Sequence, residues 1–157
     1  MNEHRAGDSA SVRIPPPFIY IAGLLIGIYG GRLLPGTLPE PAWVLAAASV
    51  LFAAGFVLAL SAIMRFRSLG TQLRPDKPVT ALVFDGPYRF TRNPMYVGLA
   101  MVYIGIALWV ASLWALVLLV PVLLIIRYAV IAREERYLVS KFGPAYLAYT
   151  SRVRRWL

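Results

Sequence analysis

Long apolar stretches separated by short polar ones dominate this chain. Phe18–Leu34 is apolar apart from Arg32 near its end, and Ala42–Met64 contains no charged residue. As a helix rising about 1.5 Å per residue, the second stretch would be roughly 34 Å long, enough to cross a hydrocarbon core of about 30 Å. The pattern therefore predicts two membrane-spanning helices, over residues 18–34 and 42–64.

A third apolar stretch is too long for one membrane crossing. Asn93–Ile126 is uncharged and, as a single helix, would be roughly 51 Å long. The natural corner is Ala111-Ser112, because a tryptophan lies on each side of it and tryptophans favour the membrane interface. We therefore expect helices over 94–110 and 113–132, which makes four spans in total.

The basic residues predict how these helices are oriented. Every Lys and Arg except Arg32 lies in the tail 1–17, in the loop 65–93, or from Arg127 onward. Positive charge next to spans is retained in the cytoplasm, so both termini and any active site are expected on the cytoplasmic face, of the inner membrane if the source is bacterial. The expected fold is an all-α polytopic membrane protein forming one domain over residues 1–157.

The amino-acid composition limits the partners and the kinds of catalytic site that this chain can have. With 59% hydrophobic and 15% charged residues, the chain is more apolar than soluble domains, which average about 45–50% apolar and about 25% charged. The net charge of +9 therefore indicates a membrane surface, and no nucleic-acid partner is expected. There is no Cys, and the one His is His4 in the polar tail, which excludes Cys nucleophiles and Ser-His-Asp triads. No metal site is expected either. Any catalysis must therefore use carboxylates, arginines, tyrosines and a bound cofactor.

The first apolar stretch carries glycines at four-residue spacing, Gly23, Gly27 and Gly31. Small residues at this spacing let another helix approach the backbone closely. Packing within the chain is the favoured interpretation, and a homodimer face is the alternative.

The end of the middle loop has the features of an anion-binding helix start. Asp85-Gly86 predicts a turn, and Asn93-Pro94 predicts a helix with asparagine as its N-cap and proline as its first residue. The unpaired amide groups of such a terminus favour a carboxylate or phosphate, and Arg92 strengthens that preference. Tyr88 and Tyr96 add flat aromatic faces and hydroxyls. The alternative is an ordinary helix start within an aromatic belt.

A second group of charges lies at the end of the fourth predicted helix. Arg127 lies within the apolar stretch, and Arg133, Glu134 and Glu135 follow it. Spacings of seven and eight residues from Arg127 to the two glutamates predict one shared helix face. A charge inside an apolar stretch is expected to have a partner or a wet cavity, or else to extend to the headgroups.

The last part of the chain, 133–157, combines these charges with an interfacial segment. Phe142-Gly143-Pro144 predicts a break, and Pro144–Leu157 then has aromatic residues near one side with arginines interleaved. This pattern is typical of a short helix lying in the headgroup layer, with membrane lipid as its partner.

Two segments together resemble a known family. They are Gly86–Gly98, GPYRFTRNPMYVG, and Glu134–Tyr149, EERYLVSKFGPAYLAY. In this order around a helical hairpin they are similar to the C-terminal signature of the isoprenylcysteine carboxyl methyltransferase and phospholipid methyltransferase family. That family consists of integral-membrane enzymes that use S-adenosylmethionine, enclosed on the cytoplasmic side by the loop, the last two helices and the C-terminal segment.

The resemblance implies a cofactor site built from both segments. Its expected residues are Tyr88, Asn93, Pro94 and Tyr96 on one side and Glu134 and Glu135 on the other. The helix start at Asn93-Pro94 or the side chain of Arg92 is expected to hold the carboxylate of the cofactor. Asn93 stands where many members of the family have His. Arg127 or Arg133 is expected to orient an acidic acceptor, and Glu134 to take a proton from an acceptor that must lose one.

The function expected from these observations is methyl transfer from S-adenosylmethionine to a lipophilic acceptor, in the first place an isoprenylcysteine-type carboxylate. Alternatives are a phospholipid or another lipid amine or thiol as acceptor, and a non-catalytic scaffold that binds anionic lipid. A transporter is disfavoured because the spans contain no acidic residue and no obvious repeat. A reductase of a similar membrane fold is disfavoured by the short chain.

Overall fold

The computed structural model describes residues 15–68 and 82–157, and these residues form helices, turns and loops with no strand. The elements in chain order are α1 (Pro16–Gly31), α2 (Ala42–Ser68), a 3-10 turn (Gly86–Arg89), α3 (Pro94–Trp109), α4 (Leu113–Ile125), a π-helical segment (Ile126–Ile131), α5 (Ala132–Phe142) and α6 (Pro144–Thr150). The all-α prediction is confirmed. Residues 1–14 of the predicted tail and 69–81 of the predicted loop lie outside the described residues.

The corner between the third and fourth predicted helices is where the sequence placed it. The helix α3 ends at Trp109, and α4 begins at Leu113. Ala111 has a φ of 48°, and the Ser112 hydroxyl caps α4 by accepting a hydrogen bond from the amide of Ala115 at 3.2 Å. The turn reverses the chain, so α3 and α4 are consecutive antiparallel helices.

Helix length decides which elements can cross a membrane alone. In the part of the chain that the structure describes, two helices are long and apolar enough, Ala42–Ser68 and the continuous helix Leu113–Phe142. Both α1 and α3 have 16 residues and span about 24 Å, less than a typical hydrocarbon core of about 30 Å. The prediction of four spans stays a prediction.

Two helix pairs form the bundle, α1 with α4 and α2 with α3. Glycines permit the second pair to approach at backbone distance, since a Cβ added to Gly98 would lie 2.6 Å from the carbonyl oxygen of Gly55. The helix α3 also contacts α1 and α4, so it joins the two pairs.

The glycines of α1 serve the other pair. A Cβ on Gly23 would meet the side chain of Val122, one on Gly27 the backbone of Ala115, and one on Gly31 the ring of Trp114. All three glycines therefore face α4 in the same chain. The favoured interpretation, packing within the chain, agrees with this arrangement.

The outer surface of the bundle is apolar. Ile26, Val50, Val57 and Val120 are each at least 60% exposed, on three different helices. Exposed apolar area on this scale is unfavourable in water and is matched by lipid. With the two long apolar helices, this surface indicates a membrane protein.

The end of the chain departs from the predicted interfacial helix. The break is confirmed, because Gly143 has a φ of 48° between α5 and α6. However, α6 ends at Thr150, and the helix predicted as far as Leu157 is wrong beyond it. The following residues instead turn back to the start of α3, where the carbonyl of Arg154 accepts a hydrogen bond from the Arg92 amide at 2.9 Å.

Candidate active site

Three parts of the chain meet at one end of the bundle: the start of α3, the first turn of α5, and the residues that follow α6. The proline at the first position of α3, Pro94, fixes where that helix begins, and its side chain is fully buried. The continuous helix from α4 into α5 carries the two glutamates to the same level. The charged site therefore lies on a framework of apolar helices.

Tyr96 and Glu134 join the two halves of the motif directly. The Tyr96 hydroxyl donates a hydrogen bond to Oε1 of Glu134 at 2.8 Å, across 38 positions of sequence. Tyr96 is only 5% exposed, so its ring is fixed by packing. Burial raises the pKa of the Glu134 carboxyl, and the hydrogen bond from the neutral phenol opposes that rise because it favours the carboxylate.

Glu135 is held by two arginines. Arg92 donates through Nη1 to Oε1 of Glu135 at 2.9 Å, and Arg155 donates through Nε to Oε1 at 3.1 Å and through Nη2 to Oε2 at 2.6 Å. The side chains of Arg92 and Glu135 are only 16% and 15% exposed. A carboxylate removed from water requires such partners, and the two guanidinium groups supply them.

The start of α3 differs from the expected cap. Asn93 occupies the N-cap position, but its side chain makes no capping hydrogen bond. Its Nδ2 donates instead to the carbonyl of Arg155 at 2.9 Å, and Thr91 donates to the same carbonyl at 3.2 Å. The predicted side-chain cap is wrong, because the returning chain offers the asparagine a carbonyl acceptor.

Two buried tyrosines of α6, Tyr146 and Tyr149, lie beside the site. Tyr149 donates from its hydroxyl to the carbonyl of Tyr88 at 2.7 Å, and both residues are buried. Burial raises the pKa of Tyr149 to about 12, and burial together with the charge of Glu135 raises the pKa of Tyr146 to about 12. Both phenols are therefore neutral at physiological pH. They face the protein interior and not the headgroup layer predicted for this segment.

Arg127 and Arg133 lie apart from this cluster. Both are exposed, and the Arg127 guanidinium carbon lies 5.4 Å from the centre of the Tyr128 ring. The π-helical segment Ile126–Ile131 has more than 3.6 residues per turn and so shifts the helix phase between Arg127 and the two glutamates. The predicted shared face stays a prediction. The roles predicted for these two arginines in orienting an acceptor stay predictions.

Two residues at the site were not predicted from the sequence. Tyr20 of α1 donates from its hydroxyl to the carbonyl of Tyr96 at 3.0 Å, and Arg155 holds Glu135. Tyr20 is one of several aromatic residues in an apolar stretch. Arg155 belongs to a run of arginines with no regular spacing, so neither residue carried a signal of its own.

These observations define a helical membrane protein with a partly buried cluster of acids, arginines and phenols at one end. The family model for phospholipid methyltransferases matches residues 43–145, from α2 to the start of α6. The chain belongs to the phospholipid methyltransferase family, within the wider group of membrane methyltransferases that includes the isoprenylcysteine carboxyl methyltransferases.

A relative in Haemophilus influenzae, described as an uncharacterized protein, is 41% identical over 63 residues. The match covers 40% of this chain and the whole of that protein. No solved structure matches the chain significantly.

Proposed function

We propose that this protein is a membrane methyltransferase that moves a methyl group from S-adenosylmethionine to a lipophilic acceptor. The observation that carries the proposal is the direct contact between the two halves of the motif, Tyr96 with Glu134 and Arg92 with Glu135, inside the region matched by the family. A lipid-binding scaffold would need basic residues at the surface, but it would not need two partly buried glutamates.

The residues at this end of the bundle fit the charges of S-adenosylmethionine. The cofactor carries an ammonium group, a sulfonium and a carboxylate, and the Glu134 carboxylate, held by a phenol, is suited to the ammonium group. For the carboxylate, the side chain of Arg92 is suited, because its Nε is buried and has no hydrogen-bond partner among the described residues. Such an atom is satisfied when a bound acceptor reaches it.

The protein contributes position and protection from water. When bound, S-adenosylmethionine supplies a methyl group whose bond to sulfur breaks as the acceptor's lone pair bonds to carbon, the sulfur keeping the electron pair. Holding the reactants in line accounts for about 7–11 kcal/mol of barrier lowering in well-oriented systems. Tyr96 and the buried walls of Pro94 and Tyr88 give the site the rigidity that this requires.

The acceptor is proposed from chemistry and location. An isoprenylcysteine-type carboxylate needs no general base, whereas a phospholipid amine or a thiol must lose a proton, for which Glu134 is the available base. Arg127 and Arg133, which are exposed beside the apolar surface, would orient an anionic group of either acceptor. The lipophilic part would enter sideways from the bilayer, and membrane lipid would surround the bundle.

The proposed topology has four spans with both termini in the cytoplasm, of the inner membrane if the source is bacterial. It is supported by the sidedness of charge, since the arginines of the described part of the chain lie at the end of the bundle that carries the site, with Arg32 at the other end. The helices α1 and α3 have only 16 residues each, so adjoining loops and neighbouring helices would have to complete their crossing of the membrane.

The acceptor assay uses the detergent-purified protein with methyl-labelled S-adenosylmethionine. A prenylated cysteine with a free carboxylate and phosphatidylethanolamine are presented in separate mixed micelles, with phosphatidylglycerol as a lipid that lacks a nucleophilic amine. We expect label in one of the first two and none in the third. Absence of label from both, by protein that binds the cofactor, would contradict transfer to these acceptor classes.

A second prediction concerns Tyr20. Because its hydroxyl holds the main chain of Tyr96, Tyr20→Phe is expected to loosen the contact of Tyr96 with Glu134 and to weaken cofactor binding about three- to tenfold, the effect of one lost hydrogen bond of about 0.5–1.5 kcal/mol. Calorimetric titration with S-adenosylmethionine measures the change.

Tyr103→Phe is the matched control for this variant. Tyr103 packs against Tyr20 with ring centroids 6.4 Å apart, and its hydroxyl donates to the carbonyl of Ala115 at 2.8 Å, away from the site. The control loses a buried hydrogen bond of the same kind, so it is expected to lose stability but not affinity. Equal affinity losses in the two variants would show that general loosening of the bundle is the cause.

A further inference from the structure

The chain returns from the end of α6 to the start of α3 and is fixed there by its backbone. The carbonyl of Arg154 accepts from the amide of Arg92, and the carbonyl of Arg155 accepts from Nδ2 of Asn93, each at 2.9 Å. Trp156 packs against the core that contains Tyr96. These contacts hold the side chain of Arg155 beside the site.

Arg155 determines how the two arginines share Glu135. Its Nη2 takes Oε2 of the carboxylate at 2.6 Å, and its Nε reaches Oε1 at 3.1 Å. Arg92 is left with Oε1, which it meets through Nη1 at 2.9 Å. A guanidinium can bind a carboxylate through two parallel hydrogen bonds, but here Arg155 already holds both oxygens.

This sharing of Glu135 limits the hydrogen bonds that Arg92 makes. Its Nε is buried and has no hydrogen-bond partner among the described residues, and its contact with Glu135 is made through Nη1, on the other edge of the guanidinium. If Arg155 were absent, Glu135 could turn to the edge of Arg92 that carries Nε and Nη2 and accept two parallel hydrogen bonds there. Arg155 therefore keeps a donor of Arg92 free.

We propose that Arg155, which lies beyond the family match ending at residue 145, is a positioning residue of the cofactor site. By holding Glu135 with two of its nitrogens, it leaves the Nε of Arg92 free to bind the carboxylate of the cofactor. This inference rests on the proposed function and assigns a role to a part of the chain outside the matched region.

The test is the affinity of the full-length protein for S-adenosylmethionine, measured by calorimetry in detergent. Arg155→Ala is expected to raise the dissociation constant about tenfold, as for the loss of a hydrogen bond to a charged group. Arg155→Lys should give an intermediate value, because lysine restores the charge but not the two-nitrogen contact. In the methyl-transfer assay the KM for the cofactor should rise, while kcat at saturation stays close to that of the wild type.

Arg152→Ala is the charge-matched control. Arg152 is exposed, and its Nε donates to the carbonyl of Ala148 within α6 at 3.1 Å. The variant loses the same charge from the same stretch of chain, so it should bind the cofactor as the wild type does. A loss equal to that of Arg155→Ala would show a general effect of positive charge and would overturn the proposal.

A double-mutant cycle with Glu135→Gln tests whether Arg155 acts through Glu135. The double variant is expected to have about the same affinity for S-adenosylmethionine as the single variant that binds it more weakly, because both changes act on one contact. Additive losses, or an unchanged affinity of Arg155→Ala and Arg155→Lys beside a wild type that binds, would overturn the role of Arg155 and leave the proposed function standing. A folded wild type that does not bind would overturn both.

Discussion

Glu134→Gln is expected to weaken binding of S-adenosylmethionine about tenfold to a hundredfold and to reduce methyl transfer accordingly. The amide has the size of the carboxylate and can still accept the hydrogen bond from Tyr96, so the packing is retained. The negative charge proposed to bind the ammonium group is lost, and hydrogen bonds to charged groups contribute about 1.5–3 kcal/mol. Calorimetric titration and initial rates on the same preparation measure both effects.

Glu40→Gln provides the control for this variant. Glu40 is exposed in the loop between α1 and α2, at the end of the bundle away from the site. It makes the same change of acid to amide and the same change in net charge. If both variants lost affinity equally, or if Glu134→Gln bound and turned over like the wild type, Glu134 would have no part in the site.

Gly27→Ala is expected to lower the stability of the bundle by about 1–3 kcal/mol, the usual cost of overpacking. The added Cβ would lie 2.4 Å from Cα of Ala115 and 2.8 Å from its backbone nitrogen, so α1 and α4 must move apart. Because these are backbone atoms, no side-chain rotation relieves the contact. Thermal or denaturant unfolding in one fixed detergent measures the loss.

The same substitution one turn further along α1 separates packing from helix propensity. A Cβ on Gly30 would meet no atom within 4 Å, so Gly30→Ala should be neutral or slightly stabilising, since alanine favours a helix over glycine. Similar destabilisation in both variants would contradict the close approach of α1 and α4.

Helix positions followed from the sequence where one residue type decides the outcome. Pro94 fixed the start of α3, and Gly143 ended α5, because each restricts or releases the backbone locally. The corner at Ala111-Ser112 followed from the length of an uncharged stretch. The backbone preference of a single residue and the length of an uncharged stretch are both evident from one sequence.

Contacts at the site depended on features that local patterns do not encode. The π-helical segment Ile126–Ile131 changed the phase between Arg127 and Glu134, and nothing in an apolar stretch marks such a change. The contact of Arg155 with Glu135 depends on the path of the chain after α6. By contrast, the contact of Tyr96 with Glu134 agrees with the resemblance, which placed these residues on opposite sides of one site.

We propose above all that the two glutamates and the start of α3 bind S-adenosylmethionine. The most direct test of this proposal is calorimetric titration of the cofactor into the detergent-purified wild-type protein, whose folding is confirmed by cooperative unfolding in the same detergent. We expect saturable binding with a micromolar dissociation constant and competition by S-adenosylhomocysteine. Absence of binding up to millimolar cofactor, in protein that unfolds cooperatively, would contradict the proposal.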